Sequence, residues 1–480
     1  MTEIIEKLEN NLVNITVRDI IYKLKAEELS KDFEEFMSNY KDAHKLLSLF
    51  ETVPQFKVIA TDSYFTHYSV VPLLRSTRNP DQLLEKVRES MKDYMNSRRY
   101  REIKILTTLN DELSKIYSLA LIKSLIMRIR DELIRRNKGD LLDKLQQKME
   151  ELMDQQGIDA VTSGNYQPDA ETQQIINQVV QEINNNVDVA GVFHDAVIDA
   201  KIATENAKEI EKLVGGNKAG KEAGTFNKLL KLTLETLWDV EFRTVINTAG
   251  KIADSMPQFV SITKERDKHG DELYGYRTTR KPWEALAKEL ALPDDVFEAK
   301  LISNGLLASE KVISKEGAYY VIIDKSGSMS GQKTVWARSV ALAIFKLAQR
   351  KHRKFFLRFF DVNVYPSDAP ITDPYDALDH ILSINPDGGT SIDNALRTAV
   401  EDIKERKLSD YTNTVIIISD GEDTVFTPAE ELKKNNIQLV AVMIKGHNNT
   451  LAELARKTGG KYLKAELDKE GALKVVEEVM

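Results

Sequence analysis

The sequence predicts a helical N-terminal region followed by a C-terminal α/β domain, in which helices flank a doubly wound, mostly parallel sheet. Three observations carry this. Up to about residue 310, apolar side chains recur at steps of three and four. From about residue 317, short β-branched runs alternate with helical segments. The chain of 480 residues is 42% hydrophobic and 30% charged, enough apolar material for sizeable cores and too much for wholesale disorder. At roughly 150 residues per domain, the length suits about three units.

The clearest N-terminal helix is expected from Arg101 to Asn137. Ile105, Leu109, Leu113, Ile116, Leu119 and Ile122 open its apolar stripe. Gly139 interrupts, and Leu141, Leu145 and Met149 resume the pattern. Such a stripe points to packing in a bundle rather than to a free coiled coil. Gly157 to Pro168 carries turn residues and reads as a loop. A helix rich in Asn and Gln is expected from Ala170 to Leu213, a flexible joint at 215–224 (GGNKAGKEAG), and a further helix from Asn227 to Ser255. The organisation expected is therefore a helical domain at 1–256, a less regular connecting segment at 257–316 with a short hairpin within Lys264–Lys281 and a helix over Pro282–Lys300 broken at Pro293, and an α/β domain at 317–480.

In that last part, Tyr319 to Ile323, Thr414 to Ser419 and Gln438 to Ile444 are apolar runs suited to strands buried on both faces. Phe355 to Phe360 is a further strand, with Val362 to Tyr365 as its pairing candidate, and Lys461 to Lys464 a short one. Helices are expected over Trp336 to Gln349, Tyr375 to Ile384, Ser391 to Glu405, Pro428 to Lys434 (with Thr427 as N-cap), Leu451 to Thr458 and Lys469 to Val479. Ligands of such sheets sit outside the carboxyl ends of the strands.

Composition excludes several function classes. With no cysteine, disulfides, thiolate zinc sites, Fe–S clusters and cysteine nucleophiles are impossible. The formal charge of −8 argues against a general nucleic-acid coat. Mean hydropathy is −0.36, and no apolar run approaches the ~18 residues of a membrane span. The opening segment MTEIIEKLEN has neither a basic start nor a long apolar run, so no secretory signal is read there and a cytoplasmic location is expected.

The strand ends carry the chemistry. Tyr319–Ile323 runs into Asp324-Lys325-Ser326-Gly327-Ser328, where one carboxylate and two hydroxyls alternate on a Gly-containing turn. The TVIIIS strand runs into Asp420-Gly421-Glu422-Asp423. Between them, Asp387-Gly388-Gly389-Thr390-Ser391 is a Gly-rich turn before a helix. Carboxylates and hydroxyls without imidazole or thiolate favour a hard divalent cation, Mg²⁺ above all.

These segments resemble the von Willebrand factor A (VWA) domain, a Rossmann-like fold. Asp324-x-Ser326-x-Ser328, Thr390 in GGT and Asp420 in SDG match the three segments of that family's metal-ion-dependent adhesion site, in order. The resemblance implies that Ser326 and Ser328 ligate Mg²⁺ (or Mn²⁺) through their hydroxyls. Thr390 would ligate directly or through water, and Asp324 and Asp420 would ligate or hold metal-bound waters. A partner's carboxylate would fill the remaining position. Glu422 and Asp423 read as solvated loop acids.

A long helical region with this domain at the C-terminus is further similar to the CoxE/ViaA-like group, with loose support from Thr244–Met256 and Tyr274–Leu290. That similarity implies an adaptor or co-chaperone for a MoxR-type AAA+ ATPase, binding an acidic residue of its protein target. Alternatives are an RNA-binding Ro-like protein and a surface adhesin. Gly215 to Glu222 approaches a phosphate-binding loop, but Glu222 stands where a hydroxyl is needed and no strand precedes it. Arg350, Lys351, Arg353 and Lys354 read as a solvated helix end. No histidine spacing or Ser–His–Asp grouping marks a catalytic site, so no enzymatic activity is expected.

Overall fold

The computed structural model describes residues 13–14, 53–74, 81–156, 169–214, 223–256, 264–266, 272–314, 316–421 and 423–480. The loop expected at 157–168 and all but the last two residues of the joint expected at 215–224 lie outside them, as does Glu422. The chain divides into two compact units. One comprises Met1–Lys212 with Gly216–Arg243, the other Leu213–Gly215 with Thr244–Met480.

The first unit is helical. A short pairing of β1 (Val13–Asn14) with β2 (Leu73–Leu74) flanks α1 (Pro54–Tyr68). Then follow α2 (Gln82–Asn96), α3 (Arg98–Thr107), α4 (Asp111–Arg135), α5 (Gly139–Gln156), α6 (Ala170–Asn186), α7 (Val189–Val214), α8 (Ala223–Glu235) and the start of α9 (Val240–Ser255). The single helix expected from Arg101 to Asn137 is two. Leu109 takes a φ of 58°, and the Asn110 side chain accepts from Leu113 N at 3.1 Å, capping a new start. The break shifts the helical phase, so Ile105 and Leu109 of the expected stripe are exposed. The helix expected from Ala170 to Leu213 also divides, at Val187–Asp188, where Asp188 accepts from Gly191 N.

Helix α4 is buried on more than one face, which explains its serines: Ser114 donates to Thr107 O, Ser118 to Ala60 O and Ser124 to Asp199. Beside it sits a buried aromatic group. The His67 ring stacks on Tyr117 with centroids 3.7 Å apart. His67 Nδ1 lies 2.8 Å from Ser63 O and Nε2 lies 2.9 Å from Tyr94 Oη; Tyr117 Oη donates to Tyr94 Oη at 3.0 Å. A neutral imidazole, donating from Nδ1 and accepting at Nε2, satisfies every bond in this row. Burial pushes its pKa down to about 3. Lys104 Nζ closes α1 by donating to Thr66 O and His67 O, and burial lowers its pKa to about 8.

The second unit contains two sheets. Residues 257–316, expected as a connector, carry β3 (Lys264–Arg266), β4 (Glu272–Thr279), α10 (Ala287–Leu290), α11 (Asp294–Ile302) and β5 (Leu306–Ser314); the two helices lie either side of the break expected at Pro293, and the strands are more regular than expected. Both β3 and β4 pair antiparallel with β5, not with each other as a hairpin. The apolar partner strand, LLASEKVIS, lies some thirty residues after β4 begins, and charge and glycine in 264–281 conceal the pairing.

The larger sheet is built from β6 (Glu316–Asp324), β7 (Phe355–Phe360), β8 (Val364–Tyr365), β9 (Thr412–Ser419), β10 (Ile437–Ile444) and β11 (Lys461–Ala465). Its order is β11-β10-β9-β6-β7-β8, parallel throughout except β8, which returns antiparallel on β7. The helices are α12 (Gln332–Arg350), α13 (Pro374–Ser383), α14 (Ile392–Glu405), α15 (Ala429–Lys434), α16 (Asn449–Lys457) and α17 (Lys469–Val479). This is the mostly parallel, helix-flanked architecture that the alternation predicts. Tyr320, Ile322, Val415 and Ile417 pack on one face with Leu396, Ala399 and Leu451. On that face Arg358 Nε and Nη2 hold Asp402 at 2.8 Å each, both side chains buried, with Tyr320 Oη joining them.

Three expectations change here. The basic cluster is not wholly a solvated end: Lys351 is buried and Arg353 half-buried with its side chain only 7% exposed, while Lys354 is exposed. Arg353 donates to Gly317 O, Ala318 O and Thr412 O and stacks on Tyr319, Lys351 donates to Met480 O, and Arg350 to Ala253 O. The unit also begins upstream of 317. From Thr244, α9 buries Val245, Ile246, Ala249 and Ile252, and Ser339 of α12 bonds Val245 O. The expected cap Thr427 does not cap α15; its Oγ1 donates to Asp393 at 2.7 Å instead.

Candidate metal centre

Parallel pairing sets the site. β6 lies between β9 and β7, so Asp324 at its carboxyl end stands beside Ser419 and Phe360. Asp324 is 2% exposed. One carboxylate oxygen accepts from Ser326 N at 2.8 Å and the other from Ser419 Oγ at 2.5 Å. Burial raises its pKa and the nearby Asp420 charge adds to the rise, while the Ser419 and Ser326 bonds oppose it.

From there a row of oxygens crosses the rim. Ser326 Oγ is 3.1 Å from Ser328 Oγ, which donates to Asp420 Oδ1 at 2.8 Å. Thr390 closes the group: a methyl built on Gly421 would meet Thr390 Cγ2 at 3.0 Å and Oγ1 at 3.2 Å, so Thr390 lies directly against the residue after Asp420. All five residues that the sequence singles out therefore gather at one end of the sheet.

The loops holding them are tied together. Gly327 N donates to Gly388 O at 3.2 Å and Asp387 N to Lys325 O at 2.7 Å. Gly388 has a φ of +88°, and a Cβ there would press on Asp361 at 3.1 Å, so the position needs glycine. Asp361 pairs with Lys325 at 2.6 Å. Burial opposes its ionisation, but Lys325 and the Asn363 N–H outweigh that and hold its pKa below the usual value.

Several rim residues were not singled out as site residues. Asp423 is not a free loop acid: Oδ2 accepts from Ile392 N at 2.8 Å, capping α14, whose own N-cap Ser391 makes no side-chain bond. Asp393 on α14 accepts in return from Phe426 N and Thr427 N. Lys333, in the first turn of α12, donates to Asp420 Oδ2, and to Ser328 O at 3.1 Å. The sequence held no local signal for Lys333: the helix expected to start at Trp336 begins at Gln332, which brings Lys333 into the first turn, where a cation opposes the helix dipole and calls for a carboxylate partner.

The donors fit a hard cation. They are two carboxylates and three hydroxyls, oxygen throughout, in reach of solvent at Ser328 and Thr390. Among the described residues, no group of three or more His, Asp or Glu side chains is arranged to hold a metal, so hydroxyls must complete any such shell here.

With this geometry in view, the relatives fall into place. Residues 320–477 match the family model of the von Willebrand factor type A domain, so the C-terminal third of the chain is a domain of that kind. An uncharacterized protein of Methanocaldococcus jannaschii is 26% identical over 266 residues, half of this chain and 59% of that protein. A second from the same organism is 27% identical over 136 residues, 27% of this chain and 33% of that protein. The chain thus spans less than two thirds of the relatives it matches. Among solved structures, a von Willebrand factor type A protein from Catenulispora acidiphila is 17% identical, covering 35% of this chain and 44% of that one, with a TM-score of 0.28. BatB of Bacteroides thetaiotaomicron is 18% identical, covering 34% and 96%, also at 0.28. Among the described residues no helix is long and apolar enough to cross a membrane.

Proposed function

We propose that this chain is a metal-dependent protein-binding adaptor. Asp324, Ser326, Ser328, Thr390 and Asp420 would hold Mg²⁺ (or Mn²⁺), and an acidic residue of a protein partner would complete the cation's shell. The observation that carries this reading is the oxygen row Ser326–Ser328–Asp420, formed at the ends of adjacent strands beside buried Asp324. The bound cation would supply positive charge for a carboxylate. The chain's own residues orient the donors: Ser419 and Ser326 N fix Asp324, and the Gly388 carbonyl fixes the turn between Ser326 and Ser328. Exposed Val362 and Phe426, each hydrogen-bonded through its backbone to the first turn of α14, offer apolar contact beside the rim.

The fuller reading is an adaptor or co-chaperone that links targets to a MoxR-type AAA+ ATPase in the cytoplasm. It is supported by the similarity of the whole organisation, helices then C-terminal VWA domain, to the CoxE/ViaA-like group. The test is a pull-down from native lysate with the tagged chain, in Mg²⁺ and in EDTA, beside a Ser328→Ala chain. Recovery of an AAA+ ATPase, with further proteins lost in EDTA and lost with Ser328→Ala, is the expected result. Recovery of RNA alone, or a protein set indifferent to both EDTA and Ser328→Ala, sinks the adaptor reading.

A further inference from the structure

We propose that Lys333 is a resident counter-cation of the metal face, which weakens the site's hold on a divalent cation and raises its appetite for an anionic partner. The inference rests on the metal reading given above and concerns a residue outside the five donors.

Lys333 stands in the first turn of α12, where the dipole disfavours a cation and no side chain caps the helix. Its ammonium nonetheless lies against Asp420 Oδ2, and its second bond, to Ser328 O, fixes it to the donor turn itself. The Asp420 side chain is only 5% exposed, whereas that of Lys333 keeps 26% exposure. A carboxylate so buried needs a partner. Another rim ammonium, Lys325, is engaged by Asp361 and the Tyr365 ring. Lys333, paired directly with Asp420, compensates its charge.

The two oxygens of Asp420 divide the work. Oδ1 faces Ser328 and the hydroxyl row, and Oδ2 faces Lys333. The carboxylate therefore serves two cations once a metal is present, and the ammonium and the metal repel each other across it. Charge counting gives the consequence. Asp324, Asp420 and Lys333 together carry one negative charge; a divalent cation makes it one positive, which a partner's carboxylate cancels. Without Lys333 the loaded site would already be neutral, and a partner's carboxylate would gain less from docking.

The test uses the full chain as wild type, Lys333→Gln and Lys333→Arg. Calorimetric titration with MgCl₂ should show Lys333→Gln binding about tenfold more tightly than wild type, with Lys333→Arg close to wild type. In EDTA, Lys333→Gln should melt below wild type, and saturating Mg²⁺ should close that gap. With Mg²⁺ saturating, acetate should stabilise wild type more than Lys333→Gln. Equal or weaker Mg²⁺ binding by Lys333→Gln overturns the proposal, as does a melting deficit identical in EDTA and Mg²⁺, which marks a merely structural tie. If wild type takes up no Mg²⁺ at all, the metal reading fails and Lys333's role falls with it.

Discussion

Acidification should loosen the helical unit through one residue. His67 is 1% exposed, stacked on Tyr117, and bonded at both ring nitrogens in a way that the neutral ring satisfies. Its folded pKa is lowered from 6.5 to about 3, chiefly by burial. The sign follows from linkage. Above pH 6.5 the ring is neutral folded or unfolded, and the full stability is present. Between 6.5 and 3 the unfolded chain takes up a proton that the folded one refuses, so stability falls as pH falls. At ~1.36 kcal/mol per pH unit, moving from pH 7 to pH 5 costs the surrounding structure about 2 kcal/mol. Hydrogen exchange read on peptides of α1 and α4 is the assay, because it reports this unit within the full chain. Exchange from the globally opened state should rise roughly thirtyfold from this term at pH 5, after correction for intrinsic rates. His67→Gln should lower stability at pH 7 and abolish most of the additional loss at pH 5. Equal pH dependence in the two chains would refute the assignment of a neutral, buried imidazole.

Two other outcomes follow from the second unit. Asp423→Ala removes the cap of α14 and should cost about 1 kcal/mol of stability, measured by denaturant melts, while lowering Mg²⁺ affinity only modestly; complete loss of Mg²⁺ binding would make Asp423 a ligand rather than a brace. A fragment starting at Thr244 should be more soluble than one starting at Gly317, because the shorter one uncovers the face of α12 on which α9 rests; equal solubility would show that face to be dispensable.

The sequence made the large sheet legible because its strands are short, apolar and bounded by turn residues, and because each donor segment sits at a strand's carboxyl end. Residue type and position pointed to the three donor segments, and the resemblance to the VWA domain singled out Asp324, Ser326, Ser328, Thr390 and Asp420 within them. What it concealed depends on long-range partners. Nothing local says that Asp423 caps a helix starting thirty-one residues earlier, or that Thr427 serves Asp393 instead of its own helix. The cations of 350–354 look solvated because burial of Arg353 depends on carbonyls of β6 and β9 and on the Tyr319 ring. In the helical unit, periodicity survived but phase did not, since a single Asn cap at 110 restarts the helix.

Asp324 itself argues that stability and binding are not separable at this rim. The sequence suggests that Asp324→Ala should spare the fold while removing metal-dependent binding. The geometry changes that expectation. Asp324 is fully committed inside the protein, to Ser326 N and Ser419 Oγ, before any cation arrives. Truncation strands both donors in a buried place, a penalty of roughly 1–3 kcal/mol for each that finds no water. The same carboxylate that would attract a cation shapes the turn that presents Ser326 and Ser328. Lost binding in Asp324→Ala would therefore mix a missing charge with a collapsed turn. Ser328→Ala is the cleaner probe: among the described residues its hydroxyl bonds Ser326 Oγ and Asp420, and these keep Asp324 and Lys333 as partners. Loss of Mg²⁺ binding there, with melting in EDTA unchanged, would assign the defect to the donor row itself.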